Sequence, residues 1–194
     1  MNILLLGPQG SGKGTQGKRI AEDYGIPHIA TGDMLRAMKK EPTKLGRQLK
    51  EIMDRGELVP DEFMIDLIRE CLSRDDAQRG FVLDGFPRNL AQAEALDDLL
   101  RELGKELDVV FDFQIRDEDT LFERMHKRAV EEGRSDDTPE AFRRRLELYH
   151  RDTEPLIEHY RTTYGNVVGI HAARSVNEVF AEIQQALEQV AMRR

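Results

Sequence analysis

One cysteine in 194 residues excludes an internal disulfide framework and a cysteine-rich metal centre, and fits a reducing compartment. No stretch approaches the ~18 apolar residues of a membrane span. The opening Met1-Asn2-Ile3-Leu4-Leu5-Leu6-Gly7 has no basic segment and too few apolar positions for a secretion signal. Positive charge is also in short supply. Against 37 Asp and Glu there are 29 Lys and Arg, a net charge of −8, which argues against coating nucleic acid or an anionic membrane. Internal repeats, low-complexity tracts and interdomain linkers are all missing. These absences predict a soluble cytoplasmic protein with neither a nucleic-acid nor a membrane partner. What is there suffices for one domain: 39% hydrophobic and 34% charged residues, in a chain long enough to bury roughly 70% of its unfolded surface without a staple.

Short apolar runs alternate with amphipathic stretches. Ile3–Leu6, His28–Ala30, Phe81–Leu83, Val109–Phe113 and Val167–Ile170 read as buried strands. Between them lie helical patterns. Val176, Val179, Phe180, Ile183, Leu187 and Val190 trace one face, opened by a capping box of Ser175 and Glu178. Phe142, Leu146, Tyr149, Thr153, Leu156 and Tyr160 make a second long stripe, with Thr138 as N-cap and Pro139 at the first helical position. Such alternation implies an α/β fold with a parallel sheet covered on both faces. Residues 30–59 offer helix but no strand and read as a helical insert. Residues 128–137 are charged, contain Gly133 and read as an exposed loop. Low apolar content makes both segments candidate moving parts.

Gly7-Pro8-Gln9-Gly10-Ser11-Gly12-Lys13-Gly14-Thr15 contains the G-x-x-x-x-G-K core of a phosphate-binding loop. Its glycines let successive N–H groups point at one oxyanion, the following helix N-terminus adds positive dipole, and Lys13 reaches the outer phosphates. The apolar run before it and the helical segment after it supply the expected context. Gly14 follows Lys13 where a metal-holding Ser or Thr is usual, and Thr15 comes one later. That spelling resembles nucleoside monophosphate kinases rather than GTPases or motor ATPases, and no Asn-Lys-x-Asp base-reading motif is present. Asp84, ending the Phe81 strand at its carboxyl edge, could orient the water shell of Mg²⁺; the alternative is an ordinary turn aspartate before Gly85.

A hydroxyl acceptor needs a base, but a phosphate acceptor is already an anion at neutral pH. The difficulty then lies in holding two polyanions together, which calls for arginine forks and excluded water. Arg88 follows the Asp84 strand, Arg124 and Arg128 share a helix face, Arg134 precedes Asp136-Asp137, and Arg145 borders the core side of its helix. Each alone reads as a solvated surface charge; together with the loop and Asp84 they read as a site. Arg143 and Arg144 read as solvated, and His28 either packs or reaches the site.

With these residues assembled, the chain resembles the adenylate kinase family over essentially its whole length. The likeness rests on Gly7–Gln16, Thr31-Gly32-Asp33-Met34-Leu35-Arg36, Gly56-Glu57-Leu58-Val59-Pro60-Asp61, Asp84-Gly85-Phe86-Pro87-Arg88, Gly133-Arg134-Ser135-Asp136-Asp137 and Arg145-Leu146. It implies a P-loop kinase fold with a five-stranded parallel sheet, an NMP-binding insert near 30–59 and a short lid near 127–137. By position, Gly10, Ser11, Gly12, Lys13, Gly14 and Thr15 would hold ATP phosphates, with Arg124 and Arg128 facing ATP and the Arg174 backbone meeting its adenine. Thr31, Arg36, Arg88 and Gln92 would hold AMP, with Glu57, Leu58, Val59, Gly85, Phe86 and Pro87 lining its pocket. Arg134 and Arg145 would meet the phosphates passing between nucleotides. Lys13, Arg88, Arg128, Arg134 and Arg145 are thus the expected catalytic cations, with Mg²⁺ the cofactor beside ATP. No structural zinc is implied, since Cys71 falls in the apolar pattern Phe63-Leu67-Ile68-Cys71-Leu72. A monomer acting on ATP, AMP and ADP is expected. Departures are Gln9 where proline is common, Ala30 where serine is common, and Gly17 after Gln16. A UMP/CMP kinase and a non-catalytic nucleotide sensor are the rival readings. Gln92 bears on the first, because a glutamine amide can pair bidentately with adenine; the alternative for Gln92 is a solvated helix residue.

Overall fold

Alternation along the first strand decides the layering. Leu4 and Leu6 face one side and Ile3 and Leu5 the other, and all four are buried. A strand apolar on both faces needs cover on both. The computed structural model describes residues 1–192. Its strands are β1 Asn2–Leu6, β2 His28–Ala30, β3 Phe81–Asp84, β4 Val109–Gln114 and β5 Val167–His171. They form one parallel sheet in the order β2-β3-β1-β4-β5. Every strand expected from the sequence is present, within one residue at either end.

Helices α1 (Lys13–Tyr24) and α9 (Val176–Met192) cover the Ile3 side through Ile20, Val179, Phe180, Ile183 and Leu187. The Leu4 side is covered by α3 (Lys44–Asp54), α4 (Asp61–Ser73), α5 (Leu90–Glu102) and α8 (Pro155–Tyr164), which contribute Leu49, Ile68, Leu72, Leu96 and Tyr160. Cys71 is buried there, as its apolar neighbours predict. A short α2 (Thr31–Met38) leads into α3. Helices α6 (Glu118–Glu132) and α7 (Pro139–Leu148) pack on each other through Leu121, Met125, Phe142 and Leu146. Thr138 caps α7 by accepting from the Ala141 N–H at 3.2 Å. The Ser175 box also forms: Ser175 N–H donates to Glu178 Oε2 at 3.0 Å and Glu178 N–H to Ser175 Oγ at 3.4 Å.

Two expectations need correction. The stripe from Phe142 to Tyr160 is not one α-helix. Tyr149–Thr153 form a π-helical turn in which the Glu154 N–H donates to Tyr149 O at 2.8 Å, and Pro155 then starts α8. Pro155 has no N–H to continue the ladder, so the break falls where the backbone donor is missing. The segment 128–137 is not an exposed loop either. Helix α6 continues to Glu132, Gly133 ends it, and Asp136 and Asp137 are buried in the turn that follows. Charge suggested exposure, but long-range pairing overrides it. Among the described residues, no helix is long and apolar enough to cross a membrane.

Candidate active site

The strand order reverses around β1, and the cleft lies off the carboxyl ends of β1 and β3, where open parallel sheets bind ligands. It measures about 850 Å³. Its floor is the loop from Gly7 to Gly12, which turns into α1 at Lys13. Gly12 has a φ of 92°, a left-handed conformation that a side chain would strain. The Ser11 hydroxyl is buried within this loop without a protein partner. Lys13 bends back so that Nζ donates to Gly7 O at 2.7 Å and Pro8 O at 3.0 Å. Burial lowers its pKa to about 8; Asp84 opposes this while Arg88 and Arg128 add to it.

Asp84 projects from the end of β3 beside that lysine. Burial alone would raise its pKa, but His28, Lys13 and Arg88 outweigh it, and the carboxyl is held below the ordinary range. His28 Nε2 lies 3.6 Å from Asp84 Oδ2, but the ring packs behind that carboxylate and does not itself line the cleft. Gly17 makes room for it, since a Cβ there would stand 2.5 Å from His28 Nε2.

On the β3 side, Arg88 Nε donates to Gly85 O at 2.9 Å. Burial lowers its pKa to about 10, helped by the nearby Arg145 and Arg36 and opposed by Asp84. Gln92 is 2% exposed, so it is not a solvated helix residue. Its Oε1 accepts from the Arg88 N–H at 2.8 Å and its Nε2 donates to Asp61 Oδ1 at 2.9 Å. Each amide atom keeps one further hydrogen-bonding capacity. Thr31, Glu57, Leu58, Val59, Gly85 and Pro87 line the same end of the cleft. Phe86 does not; its side chain is 1% exposed and packs in the core beneath them.

The remaining arginines close over the opposite wall. Arg128 donates from Nε and Nη2 to Asp137 Oδ2 at 2.9 and 2.7 Å. Arg145 forks between Asp137 Oδ1 at 2.9 Å and Asp136 Oδ2 at 2.8 Å, and also reaches Met53 O at 2.9 Å. Arg134 pairs with Glu132 and lies 3.5 Å from Asp33, which also binds Arg36. Arg124 donates to Ala172 O and Ala173 O, and Arg174 pairs with Glu182 at the same rim. Side-chain exposure is 25% for Arg128, 14% for Arg134 and 10% for Arg145. The arginines converge on the cleft rather than splaying into water. Arg144, by contrast, pairs with Glu147 at the surface, as its solvated reading predicts.

Residues 5–164 match the family model described as adenylate kinase. The chain belongs to the adenylate kinase family. An adenylate kinase of Bacillus velezensis is 42% identical over 214 aligned positions, covering 96% of this chain and 98% of the relative. One from Archaeoglobus fulgidus is 40% identical, covering 98% and 99%. One from Phocaeicola vulgatus is 44% identical, covering 98% and 100%. The sheet and helices are those of the P-loop kinase fold that the motifs lead one to expect.

Sequence reasoning missed part of this adenylate kinase cleft. Asp136 and Asp137, read only as neighbours of Arg134, are the buried anions that hold Arg128 and Arg145. Their signal was available, since two adjacent acids beside an arginine in a Gly-containing turn are placed to pair. Gln9 donates to Asp137 Oδ1 at 2.8 Å, so the residue that stands where proline is common ties the phosphate loop to the arginine wall. Lys39 touches Asp136, and nothing in its sequence context signals that.

Proposed function

We propose that this cleft performs MgATP + AMP ⇌ 2 ADP, with the γ-phosphoryl group passing directly between two nucleotides laid tail to tail. One observation carries the reading. Lys13, Arg88, Arg128, Arg134 and Arg145 all line the space between the phosphate loop and the Thr31–Gln92 end. Two polyanions repel, and buried guanidinium forks answer that repulsion without a proton acceptor. The reading gives the N–H groups of Gly10–Thr15 the ATP phosphates, and Arg36 and Arg88 the AMP phosphate. Arg128, Arg134 and Arg145 bear charge as it spreads onto the transferring group, and the carboxylates they now hold fix their geometry in advance. Arg124 and the backbone near Arg174 border the ATP base, while Gln92 has the spare capacity to read the AMP base.

Asp84 suits Mg²⁺ held through water, being an ionised hard-oxygen ligand at the edge of the phosphate loop. An ion held there through water would supply positive charge to offset that of the ATP phosphates. Residues 30–59 act as the NMP-binding insert and 127–137 as a short lid whose closure keeps water from competing as acceptor. The sparse cysteine supports a reducing, cytoplasmic setting, and the family resemblance supports a monomer.

The deciding experiment supplies ATP with AMP, CMP and UMP at equal concentration and follows the diphosphates formed. ADP from AMP should dominate. A pyrimidine preference would favour the UMP/CMP kinase reading, and tight nucleotide binding with no diphosphate formed would favour a sensor.

A further inference from the structure

Lys39 follows α2 directly and does not line the cleft, yet its side chain is only 6% exposed. Its Nζ donates to Asp136 Oδ1 at 2.9 Å and to Asp54 Oδ1 at 3.3 Å. Asp136 is fully buried, and its other oxygen accepts from Arg145. Arg36 lies 3.8 Å from that same oxygen. Lys39 thereby joins three pieces at one point: α2, which carries Thr31 and Arg36; the end of α3, where Asp54 adjoins Met53; and the turn between Arg134 and Arg145.

We propose that Lys39 is a positioning residue that couples occupancy of the two nucleotide pockets. The inference rests on the kinase reading above and extends it to a residue that touches neither nucleotide. The logic is electrostatic. With the two walls apart, Lys39 and Asp136 are both in water, where such a pair contributes little. With the walls together, Asp136 is enclosed and needs its cations, and removing one partner of a buried pair is strongly unfavourable. Losing the lysine charge therefore penalises only the state in which insert and turn meet. A nucleotide that binds its own side of the cleft does not feel this penalty; a second nucleotide that needs the joined walls does. Asp136 keeps its pKa near 2 even though burial opposes this, chiefly through the Lys39 hydrogen bond and Arg145. That accords with a carboxylate built to stay charged while enclosed.

The test is AMP titration by calorimetry, alone and with saturating non-hydrolysable ATP analogue and Mg²⁺, for wild type, Lys39→Met and Lys39→Arg. Wild type should bind AMP more tightly with the analogue present. In Lys39→Met the affinity for AMP alone should stay within about twofold, while the tightening shrinks by about fivefold or more, a size typical of coupling between sites. Lys39→Arg should recover much of it. Should Lys39→Met not fold, Lys39→Gln, which keeps a donor but no charge, serves in the same comparison. Unchanged tightening in the uncharged variant would overturn the proposal, as would an equal loss of AMP affinity with and without the analogue, or a wild type whose pockets bind independently. ADP production by wild type from ATP and AMP checks the underlying reading separately.

Discussion

Lys13 offers the most quantitative handle on the site. An exposed lysine would stay charged to its ordinary value of 10.5, but burial brings this one to about 8. At pH 7 about nine in ten molecules carry the charge, and at pH 9 about one in ten. Triphosphate binding needs the charged form, so from pH 8 to 9.5 affinity should fall about 16-fold in all, steepening towards about tenfold per pH unit at the alkaline end, as the ammonium must be reprotonated. Stability runs the other way. The folded pKa lies below the unfolded one, so between about 8 and 10.5 the unfolded chain holds more protons. Raising pH in that window should therefore stabilise wild type relative to Lys13→Met, by at most ~1.4 kcal/mol per pH unit. The assay is ATP binding by calorimetry without divalent cation, with urea unfolding at the same pH values. Lys13→Met should bind weakly with a flat profile over this range. A wild-type affinity that stays level from pH 8 to 9.5, or that parallels the variant, would refute the assignment of that charge to the phosphates.

Two further predictions follow from the packing. Arg88→Ala should lower turnover by at least ~10²-fold in a coupled ADP assay, the size expected for a single electrostatic stabiliser; a change under about threefold would count against its role. Gly56→Ala should destabilise by about 2–4 kcal/mol, because φ is +73° and a Cβ would stand 2.4 Å from Ala141 O and 2.9 Å from its Cα. Urea midpoints measure this, and a loss below ~0.5 kcal/mol would mean that α7 yields freely.

Local signals were legible and distant pairings were not. The strands, the Thr138 cap and the Ser175 box depend on residues a few positions apart, and all of them form. The phosphate loop is likewise a contiguous pattern that fixes its own geometry. Arg145 lies only nine positions from Asp136, but the pairing of Asp136 with Lys39 spans 97, and one-dimensional spacing carries no trace of that one. Gln9 and Asp137 are 128 positions apart and were hidden for the same reason. The stripe from Phe142 to Tyr160 divides between two clusters, Phe142 and Leu146 against α6 and Leu156 and Tyr160 against the sheet, and spacing alone does not reveal the wider turn that separates them. Phe86 shows the opposite failure: its motif belongs to the cleft, yet its bulk is spent under it.

The π-helical turn at Tyr149–Thr153 bears on what this chain can tolerate. Upstream of it Arg145 looks into the cleft; downstream Tyr160 anchors the sheet; and within it the Thr153 hydroxyl grips Arg88 O at 2.6 Å. Deleting one residue there would tighten the wide i→i+5 turn into an ordinary α turn, and the Thr153 hydroxyl would be drawn off Arg88 O. In that stretch the number of residues matters as well as their identities, and a single-codon deletion should cost the Arg88 contact even where the threonine itself is kept.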